Sequence, residues 1–327
     1  MKKCLVDSEL KEMERTLAIV NSPLQAMFAM SYIKEYGISE VDFVVPVYSV
    51  KFLKYNRGVL RYLNDEGQKY KIFVTKNIFA IFRYYNSLGK YSRFIIGDYR
   101  SIDKRLLTLF FSKKTIDVIY VDDGNASLVI GSKKRSSLSL RSIVPRIVNS
   151  LLDKRIRSQV FYSAFITDEK VLGIPVVRNN LLLFHNNKKP KGNNVVIVGC
   201  YFSAFREFGE DYHIYLHKLN EYIIKKWPQS KVLYYPHRRE NDVEAINEEC
   251  KELGWLLCQS RINIETDIVK SKEQPCEIIG FGSSALYLLK ILCKDVPVTT
   301  VHFNETRDYL EIEKKYSESG INVIDFK

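Results

Sequence analysis

The sequence predicts an α/β fold of two Rossmann-like domains that face each other across a cleft. Short runs rich in β-branched and aromatic residues alternate with amphipathic helical patterns along the whole chain, which is typical of parallel βαβ units. A polar segment, residues 185–194 (HNNKKPKGNN), separates two apolar runs near the middle. The length of 327 residues suits two domains of roughly 150 residues each.

Strands and helices are expected in both halves of the chain. In the first half we expect strands at residues 16–21, 41–47, 71–75, 94–97 and 118–121, and helices at 24–36 and 78–88. After the polar segment the alternation begins again, with strands expected at 195–199, 231–235, 277–281 and 297–302, and helices at 212–226, 242–253 and 284–293. We therefore predict a first domain of residues 1–188 and a second domain of residues 189–327.

The composition restricts the class of protein. Apolar residues make up 46% of the chain and charged residues 27%, which is enough for two packed cores and argues against bulk disorder. The net charge of +12 either reflects a solvated basic surface or favours an anionic partner. Zinc-finger, RNP and basic-region patterns are missing, so we expect no nucleic-acid partner. P-loop, Gly-x-Gly-x-x-Gly and Gly-x-Ser-x-Gly motifs are also missing, which argues against NTPases, dinucleotide enzymes and serine hydrolases.

The cysteines and the N-terminus favour a cytoplasmic protein. The six cysteines form no Cys-x-x-Cys pair, and several lie in apolar runs, as expected of reduced thiols. The first residues, MKKCLVDSELKEMER, lack the apolar stretch of a signal peptide. No apolar run approaches the ~18 residues of a membrane span.

The first candidate for chemistry is the segment YVDDGNAS, residues 120–127. The strand before it ends directly in Asp122, Asp123 and Gly124, and ligands of parallel α/β sheets gather beyond the carboxyl ends of strands. In a partly dry cleft, the neighbouring like charge would raise the pKa of one carboxyl group, which suits a general base. The alternative is an ordinary Asp-Gly turn.

The second candidate is YYPHRRE, residues 234–240, where another strand ends in a polar cluster containing Pro236, His237 and Arg238. The neighbouring arginines would lower the pKa of the imidazole unless an anion neutralises them. A phosphate-bearing ligand would do so, and a protonated His237 could then donate to it. The alternative is a surface histidine that caps the following helix.

The third candidate is IIGFGSSALYLL, residues 278–289. A glycine-containing turn leads through Ser283 and Ser284 into a helix, so backbone N–H groups and hydroxyls form a natural anion site. N-capping by either serine explains the same pattern and is compatible with phosphate binding. The loop GCYFSAFRE, residues 199–207, begins with Gly199 after the first strand of the second half and could line the same pocket.

In this order the three segments resemble the motifs of bacterial sialyltransferases and polysialyltransferases of GT-B fold. Those enzymes share an Asp/Glu-Asp/Glu-Gly triplet, a His-Pro dipeptide and a Ser-Ser or Ser-Thr pair. The opening IVNSPLQAMFAM, residues 19–30, is also similar to the start of such proteins. One departure is that Pro236 precedes His237 here, and Arg238 follows it. The resemblance runs over most of the chain and implies a GT-B fold.

The resemblance implies an inverting sialyltransferase whose donor is CMP-sialic acid. An acid of the triplet, Asp122 by preference over Asp123, would take the proton of an acceptor hydroxyl, and His237 would donate to the departing CMP phosphate. The residues implied at the CMP site are Gly124, Ser283, Ser284, Pro236, Arg238 and Gly199. The resemblance implies no metal and no other cofactor, and the chain has no Asp-x-Asp motif. A GT-B transferase of similar plan with another nucleotide-sugar donor is the alternative.

The acceptor implied by the resemblance is a glycan or lipid-linked oligosaccharide of the bacterial surface, such as lipopolysaccharide, O-antigen or capsule. Residues 133–157 carry eight Lys or Arg around apolar residues at helical spacing. This segment is either a basic amphipathic helix lying on the inner membrane face, or a core-facing helix with a solvated basic side.

Overall fold

A computed structural model of the chain describes residues 15–47, 50–74, 91–99, 101–124, 143–165, 173–181, 189–201, 212–240, 242–302 and 307–326. In these residues the strands form one seven-stranded and one six-stranded sheet, each with helices packed beside it. The predicted α/β fold with two Rossmann-like domains is therefore confirmed.

The first sheet contains strands β1 to β7, all parallel, in the order β3-β2-β1-β4-β5-β6-β7. The strands are β1 (Thr16–Ile19), β2 (Val41–Val47), β3 (Tyr70–Val74), β4 (Tyr91–Gly97), β5 (Ser112–Val121), β6 (Ile156–Ser163) and β7 (Val176–Arg178). The described helices of this half are α1 (Pro23–Glu35), α2 (Val50–Asp65), α3 (Ile102–Phe111) and α4 (Ile143–Asp153). Every residue of the central strand β1 is buried, as expected of a parallel sheet covered on both faces.

The second sheet contains β8 to β13, also all parallel, in the order β10-β9-β8-β11-β12-β13. The strands are β8 (Asn194–Val198), β9 (Lys231–Tyr235), β10 (Leu256–Leu257), β11 (Glu277–Gly280), β12 (Val298–His302) and β13 (Asn322–Asp325). The described helices are α5 (Tyr212–Lys226), α6 (Val243–Glu252), α7 (Ile264–Lys270), α8 (Ser284–Leu292) and α9 (Arg307–Glu318). The last strand of the first sheet thus ends at Arg178 and the first strand of the second begins at Asn194.

Both sheets reverse their strand order at the same relative position. In the first sheet, successive strands are added outward on one side from β1 and on the other side from β4, so the order reverses between β1 and β4. In the second sheet the same reversal lies between β8 and β11. In doubly wound α/β sheets, ligands bind in the crevice that such a reversal opens beyond the carboxyl ends of the strands. The fold therefore offers one such crevice in each half.

The two halves share one apolar core. A single cluster of buried side chains includes Phe28 of α1, Leu63 of α2, Ile268 of α7 and Leu286 of α8. At the edge of this contact, Arg261 pairs with Asp65 at 2.9 Å. The apolar sides of α1 and α2 in the first domain therefore belong to the same buried cluster as those of α7 and α8 in the second.

Several elements went unpredicted because their sequences are short, charged or interrupted. The sequence prediction found the strands β1 to β4 and β8, β9, β11 and β12 within a few residues. It missed α2, which carries Gly58 in its interior, and it missed β6, β7, β10, β13, α3, α7 and α9. Glycine weakens a helical pattern, yet Gly58 has no room for a Cβ because Ile262 O would lie 2.6 Å away. The expected helix at 78–88 lies outside the described residues.

Candidate active site

Asp122 is buried and anchors the loop after β5 to the end of β6. Its side chain is 0% exposed. The Ser163 hydroxyl donates to Oδ1 at 2.8 Å, and the Ala164 backbone N–H donates to Oδ2 at 2.7 Å. Both carboxylate oxygens therefore hold neighbouring backbone and side chain in place.

Asp123, the next residue, is partly exposed and has a different environment. The Gln25 amide donates from Nε2 to Asp123 Oδ1 at 2.5 Å. Burial and the nearby Asp98 carboxylate raise the pKa of Asp123, and the charges of Lys104 and Arg238 and the Gln25 hydrogen bond oppose that rise. A carboxyl group with a raised pKa at the mouth of a crevice suits proton transfer near neutral pH.

Lys104 lies behind Asp123 and was missed by the sequence analysis. Its side chain is fully buried, and Nζ donates to Gln25 Oε1 at 2.7 Å, to Asn21 Oδ1 at 3.1 Å and to the Gly97 carbonyl. Burial lowers the pKa of Lys104 to about 8, although Asp123 and Asp98 act in the opposite direction.

The helical spacing of the residues around Lys104 could have indicated in advance that this lysine is buried. In α3 the buried positions are Lys104, Leu107, Thr108 and Phe111, which follow one face at i, i+3, i+4 and i+7. A lysine in register with such an apolar face needs several acceptors when it is buried.

Gly124 brings the first motif against the third. Its φ is 67°, which lies in the left-handed region and makes the Asp-Gly turn of the sequence analysis an actual turn. A Cβ at this position would lie 2.8 Å from Ser284 Oγ in the second domain. The glycine therefore allows the two domains to approach closely at the end of β5.

His237 follows β9 and Pro236, and it is half-buried. Its Nδ1 accepts from the Arg239 backbone N–H at 3.2 Å, so the neutral ring carries its proton on Nε2. Burial and the charges of Arg238 and Arg239 lower the pKa of His237 to about 4, against the opposing effect of Glu240. The ring is therefore neutral at pH 7 in the unliganded protein.

The capping alternative for His237 is wrong. The following helix, α6, is capped by Asp242, whose side chain accepts from the Ala245 N–H at 3.2 Å. The imidazole is instead turned toward Tyr201, whose ring centre is 6.1 Å away. Tyr201 belongs to the loop that begins with Gly199, so that loop does approach His237.

Ser283 caps α8, as one of the two serine interpretations expected. Its side chain accepts from the Ala285 N–H at 3.4 Å. Gly282 before it has a φ of 61°, and a Cβ there would overlap the Tyr309 ring. Glycine is thus required for the turn that presents Ser283 and Ser284 at the start of the helix.

Gly199 closes the turn after β8 in a similar way. Its N–H donates to the Tyr235 carbonyl at 2.8 Å, and a Cβ would lie 2.5 Å from the Tyr234 hydroxyl oxygen. This close packing holds the end of β8 against the end of β9, directly before Pro236 and His237.

The three motifs therefore meet where the strands end. Gly124 contacts Ser284, and Arg238 lies near enough to Asp123 to lower its pKa. Asp122, by contrast, is enclosed by the end of β6. The grouping joins the Asp123 carboxylate of the first domain with Arg238, the neighbouring His237 and a capped helix N-terminus of the second.

No metal-binding cluster occurs among the residues that the structure describes. Within them, no three His, Cys, Asp or Glu side chains converge closely enough to hold an ion. His213 and His217 instead both pair with Glu249, with His213 Nδ1 2.5 Å from one carboxylate oxygen.

Part of the basic segment 133–157 is described. Residues 133–142 lie outside the described ranges, α4 covers residues 143–153, and after a turn β6 begins at Ile156, so the described part is not one continuous helix. Val148 and Leu152 of α4 are buried, whereas Ile147 is 54% and Leu151 45% exposed. None of the described helices has the length and apolar content that crossing a bilayer requires.

The architecture is that of known two-domain transferase structures. The chain is similar to an α/β-galactoside α-2,3-sialyltransferase from Photobacterium phosphoreum, with a TM-score of 0.56 and 12% identity over 96% of this chain and 99% of that one. It is also similar to a 2,6-sialyltransferase from Photobacterium sp. JT-ISH-224, solved with CMP and lactose, with a TM-score of 0.53 and 13% identity over 95% and 78% of the two chains. These similarities show the GT-B fold.

Comparison by sequence gives no relative. No profile of a known protein family matches the chain, and no curated protein matches it.

Proposed function

We propose that the protein is an inverting sialyltransferase that moves sialic acid from CMP-sialic acid to a hydroxyl group of a bacterial surface glycan. The observation that carries this proposal is the meeting of a carboxylate with a raised pKa, Asp123, with a helix N-terminus bearing Ser283 and Ser284 across the domain contact. The fold shared with two sialyltransferases supports it, and so does the complex of one of them with CMP and lactose.

The proposed base is Asp123. The sequence resemblance preferred Asp122, but Asp122 is fully buried and both of its oxygens accept hydrogen bonds from β6 and the residue after it. Asp123 is partly exposed at the crevice, and burial together with Asp98 raises its pKa. A base must come within hydrogen-bond reach of the acceptor hydroxyl, which favours the accessible carboxylate.

In the proposed reaction the acceptor hydroxyl loses its proton to the Asp123 carboxylate as its oxygen attacks the anomeric carbon of sialic acid. The bond from that carbon to the phosphate oxygen breaks, and CMP leaves with the electron pair. Inversion requires attack and departure on opposite faces of the sugar, and the proposal therefore places the sugar between the base of the first domain and the phosphate site of the second.

The proposed leaving-group site consists of His237, Ser283 and Ser284. The N–H groups and partial positive charge at the start of α8 favour an anion. His237 offers Nε2–H, since its Nδ1 is held by the Arg239 N–H. A bound phosphate offsets the arginine charges that lower the pKa of His237, so the ring gains a proton at Nδ1 as the anion binds, and Nδ1 then gives up its hydrogen bond from the Arg239 N–H.

The proposal includes no metal and no other cofactor. Its developing negative charge is stabilised by the imidazole, the serine hydroxyls and the helix N-terminus. Transfer is therefore expected to proceed at an unchanged rate in excess EDTA, and loss of activity that Mg²⁺ or Mn²⁺ restores would contradict this part of the proposal.

A thermal-shift comparison tests the donor. CMP and CMP-sialic acid are expected to raise the melting temperature, and UDP and GDP are not, because a ligand that binds only the folded state stabilises it. The stabilisation should weaken in His237→Gln and persist in His217→Gln, a matched change at an exposed histidine of α5. Stabilisation by UDP or GDP alone would favour the alternative of another nucleotide-sugar donor, and no shift with any nucleotide would overturn the proposal.

We further assign the reaction to the cytoplasm, with a glycan or lipid-linked oligosaccharide as acceptor. The described cysteines are free thiols, which supports a reducing compartment. Contact with the inner membrane face through residues 133–157 belongs to the same proposal, supported by the exposed Ile147 and Leu151. Flotation with anionic liposomes, but not with neutral ones, is the expected result, and failure to bind either kind would contradict it.

A further inference from the structure

We infer that Lys104 is a positioning residue that acts on Asp123 through Gln25, by fixing the Gln25 amide so that its N–H group faces the carboxylate. This inference rests on the proposed role of Asp123 as the base. It gives a role to a buried lysine that no motif identified, and to two residues of the NSPLQ segment, Asn21 and Gln25.

The two ends of the Gln25 amide have different partners. The carbonyl oxygen Oε1 accepts from the Asn21 backbone N–H at 3.0 Å and from Lys104 Nζ at 2.7 Å. With two donors at Oε1, the amide nitrogen Nε2 must lie at the other end, where it donates to Asp123 Oδ1. A flipped amide would direct N–H groups at two donors and an oxygen at a carboxylate, so Lys104 and the Asn21 N–H together select one orientation.

Lys104 is itself held by the crevice between β1 and β4. Its three acceptors are the neutral oxygens of Gln25, Asn21 and Gly97, which come from α1, the loop before α1 and the end of β4. These bonds fix a buried cation behind the carboxylate, and a charge in a site of low dielectric acts strongly on its neighbours.

Gly97 provides a second, independent sign that this arrangement is built. A Cβ at Gly97 would overlap the Gln25 amide, so no other residue leaves room for Gln25 in its observed position. The carbonyl of the same residue accepts from Lys104. The backbone at the end of β4 therefore accommodates both Gln25 and Lys104.

The groups that face Asp123 come from four places. Lys104 of α3 and Gln25 of α1 favour the ionised carboxylate, as does Arg238 after β9, whereas Asp98 after β4 opposes it. Removing Lys104 takes away one favourable charge and one of the two donors that keep the Gln25 oxygen away from Asp123. Both effects raise the pKa of Asp123.

The test is a titration of the Asp123 carboxyl carbon by ¹³C NMR in selectively labelled full-length protein, assigned with Asp123→Asn. Lys104→Met is expected to raise the pKa of Asp123 by about one unit, the lower end of the effect of a nearby opposite charge. The acidic limb of the kcat/KM profile should move by the same amount, while the donor KM stays unchanged. Lys34→Met, which removes an exposed cation of α1, is the matched control and should move neither.

Two further measurements keep the inference falsifiable if Lys104→Met does not fold. Gln25→Met should also raise the pKa of Asp123, because it removes the amide donor. In the wild type, the Asp123 carbon signal should show a second inflection near pH 8 as Lys104 loses its proton. If the titration of Asp123 is the same in the folded variants and the wild type and shows no inflection near pH 8, the inferred role of Lys104 is overturned. Absence of transferase activity would overturn the proposed function alone, because the NMR titration does not depend on turnover.

Discussion

The two crevices of the protein occupy equivalent points of two sheets with the same strand order, yet they contain different chemistry. The crevice between β1 and β4 is filled with side chains, among them Lys104, Gln25 and Asp123. The crevice between β8 and β11 is formed by tight glycine turns at Gly199 and Gly282 and by a capped helix. Strand order thus determines where ligands collect, whereas the residues at the strand ends determine what happens to them.

In the proposed function the two halves have different tasks. Charged side chains with shifted pKa values in the first half suit removal of the acceptor proton, whereas the N–H groups at a helix N-terminus and His237 in the second half suit binding of an anion. The contact between Gly124 and Ser284 joins the two tasks at one place.

The largest expected effect is on the acid pair of the first crevice. Asp123→Asn should lower kcat by about 10²–10⁴-fold, the usual contribution of a positioned base, while CMP binding stays normal. Asp122→Asn should instead lower the free energy of unfolding by about 1–3 kcal/mol, because an amide cannot accept from both Ser163 and Ala164. Steady-state kinetics and urea denaturation measure the two quantities. A stable Asp122→Asn protein with the larger loss of kcat would return the role of base to Asp122.

The next effect concerns proton uptake in the second crevice. The pKa of His237 is about 4 in the free protein, so a bound phosphate that raises it makes CMP affinity increase as pH falls. Below the raised pKa the gain reaches at most about tenfold per pH unit. Calorimetry of CMP binding in buffers of different ionisation enthalpy measures the protons taken up. His237→Gln should lose this uptake, whereas His217→Gln should retain it. Equal proton uptake in the wild type and both variants would exclude His237 as the group that takes up the proton.

A smaller effect is expected where the crevices touch. Gly124→Ala and Gly37→Ala both place a Cβ at positive φ, which costs about 1 kcal/mol of stability in each case. Only Gly124→Ala also forces a Cβ to 2.8 Å from Ser284 Oγ, whereas no atom lies within 4 Å of a Cβ at Gly37. The donor KM should therefore rise several-fold in Gly124→Ala and stay unchanged in Gly37→Ala. An unchanged donor KM in both variants would show that the contact between Gly124 and Ser284 does not affect donor binding.

The smallest effect is a gain in stability. Burial and Asp98 raise the pKa of Asp123 in the folded state, so the folded protein binds more protons than the unfolded chain, and stability falls as pH rises through that raised pKa. Asp123→Asn lacks this penalty and should therefore be more stable than wild type at pH 7. Urea denaturation at several pH values measures it, and the difference should shrink as pH falls toward the ordinary pKa of aspartate. If the variant is no more stable than wild type at pH 7, folding does not raise the pKa of Asp123.

The sequence predicted the parts of the site that are local and missed those that depend on distant partners. Asp123, His237 and Ser283 each follow a β-rich run, so their positions at strand ends could be predicted from the pattern around them. The preference for Asp122 came from a short motif, which carries no information about burial. Lys104 and Gln25 are 79 residues apart, and Gln25 and Asp123 are 98 apart. Only the packing of α1 and α3 at the β1–β4 crevice brings them together.

The apolar core shared by the two domains restricts how the protein can be re-engineered. Donor preference in two-domain transferases invites chimaeras in which the second half of one enzyme replaces that of another. Here such an exchange would separate Phe28 and Leu63 from Ile268 and Leu286, which pack in one cluster. The helices α1 and α2 would lose their apolar partners and would expose their own apolar side chains to water. A functional chimaera of this chain must therefore transplant the facing surfaces of α1 and α2 together with the second domain, so the natural unit of exchange is larger than the domain itself.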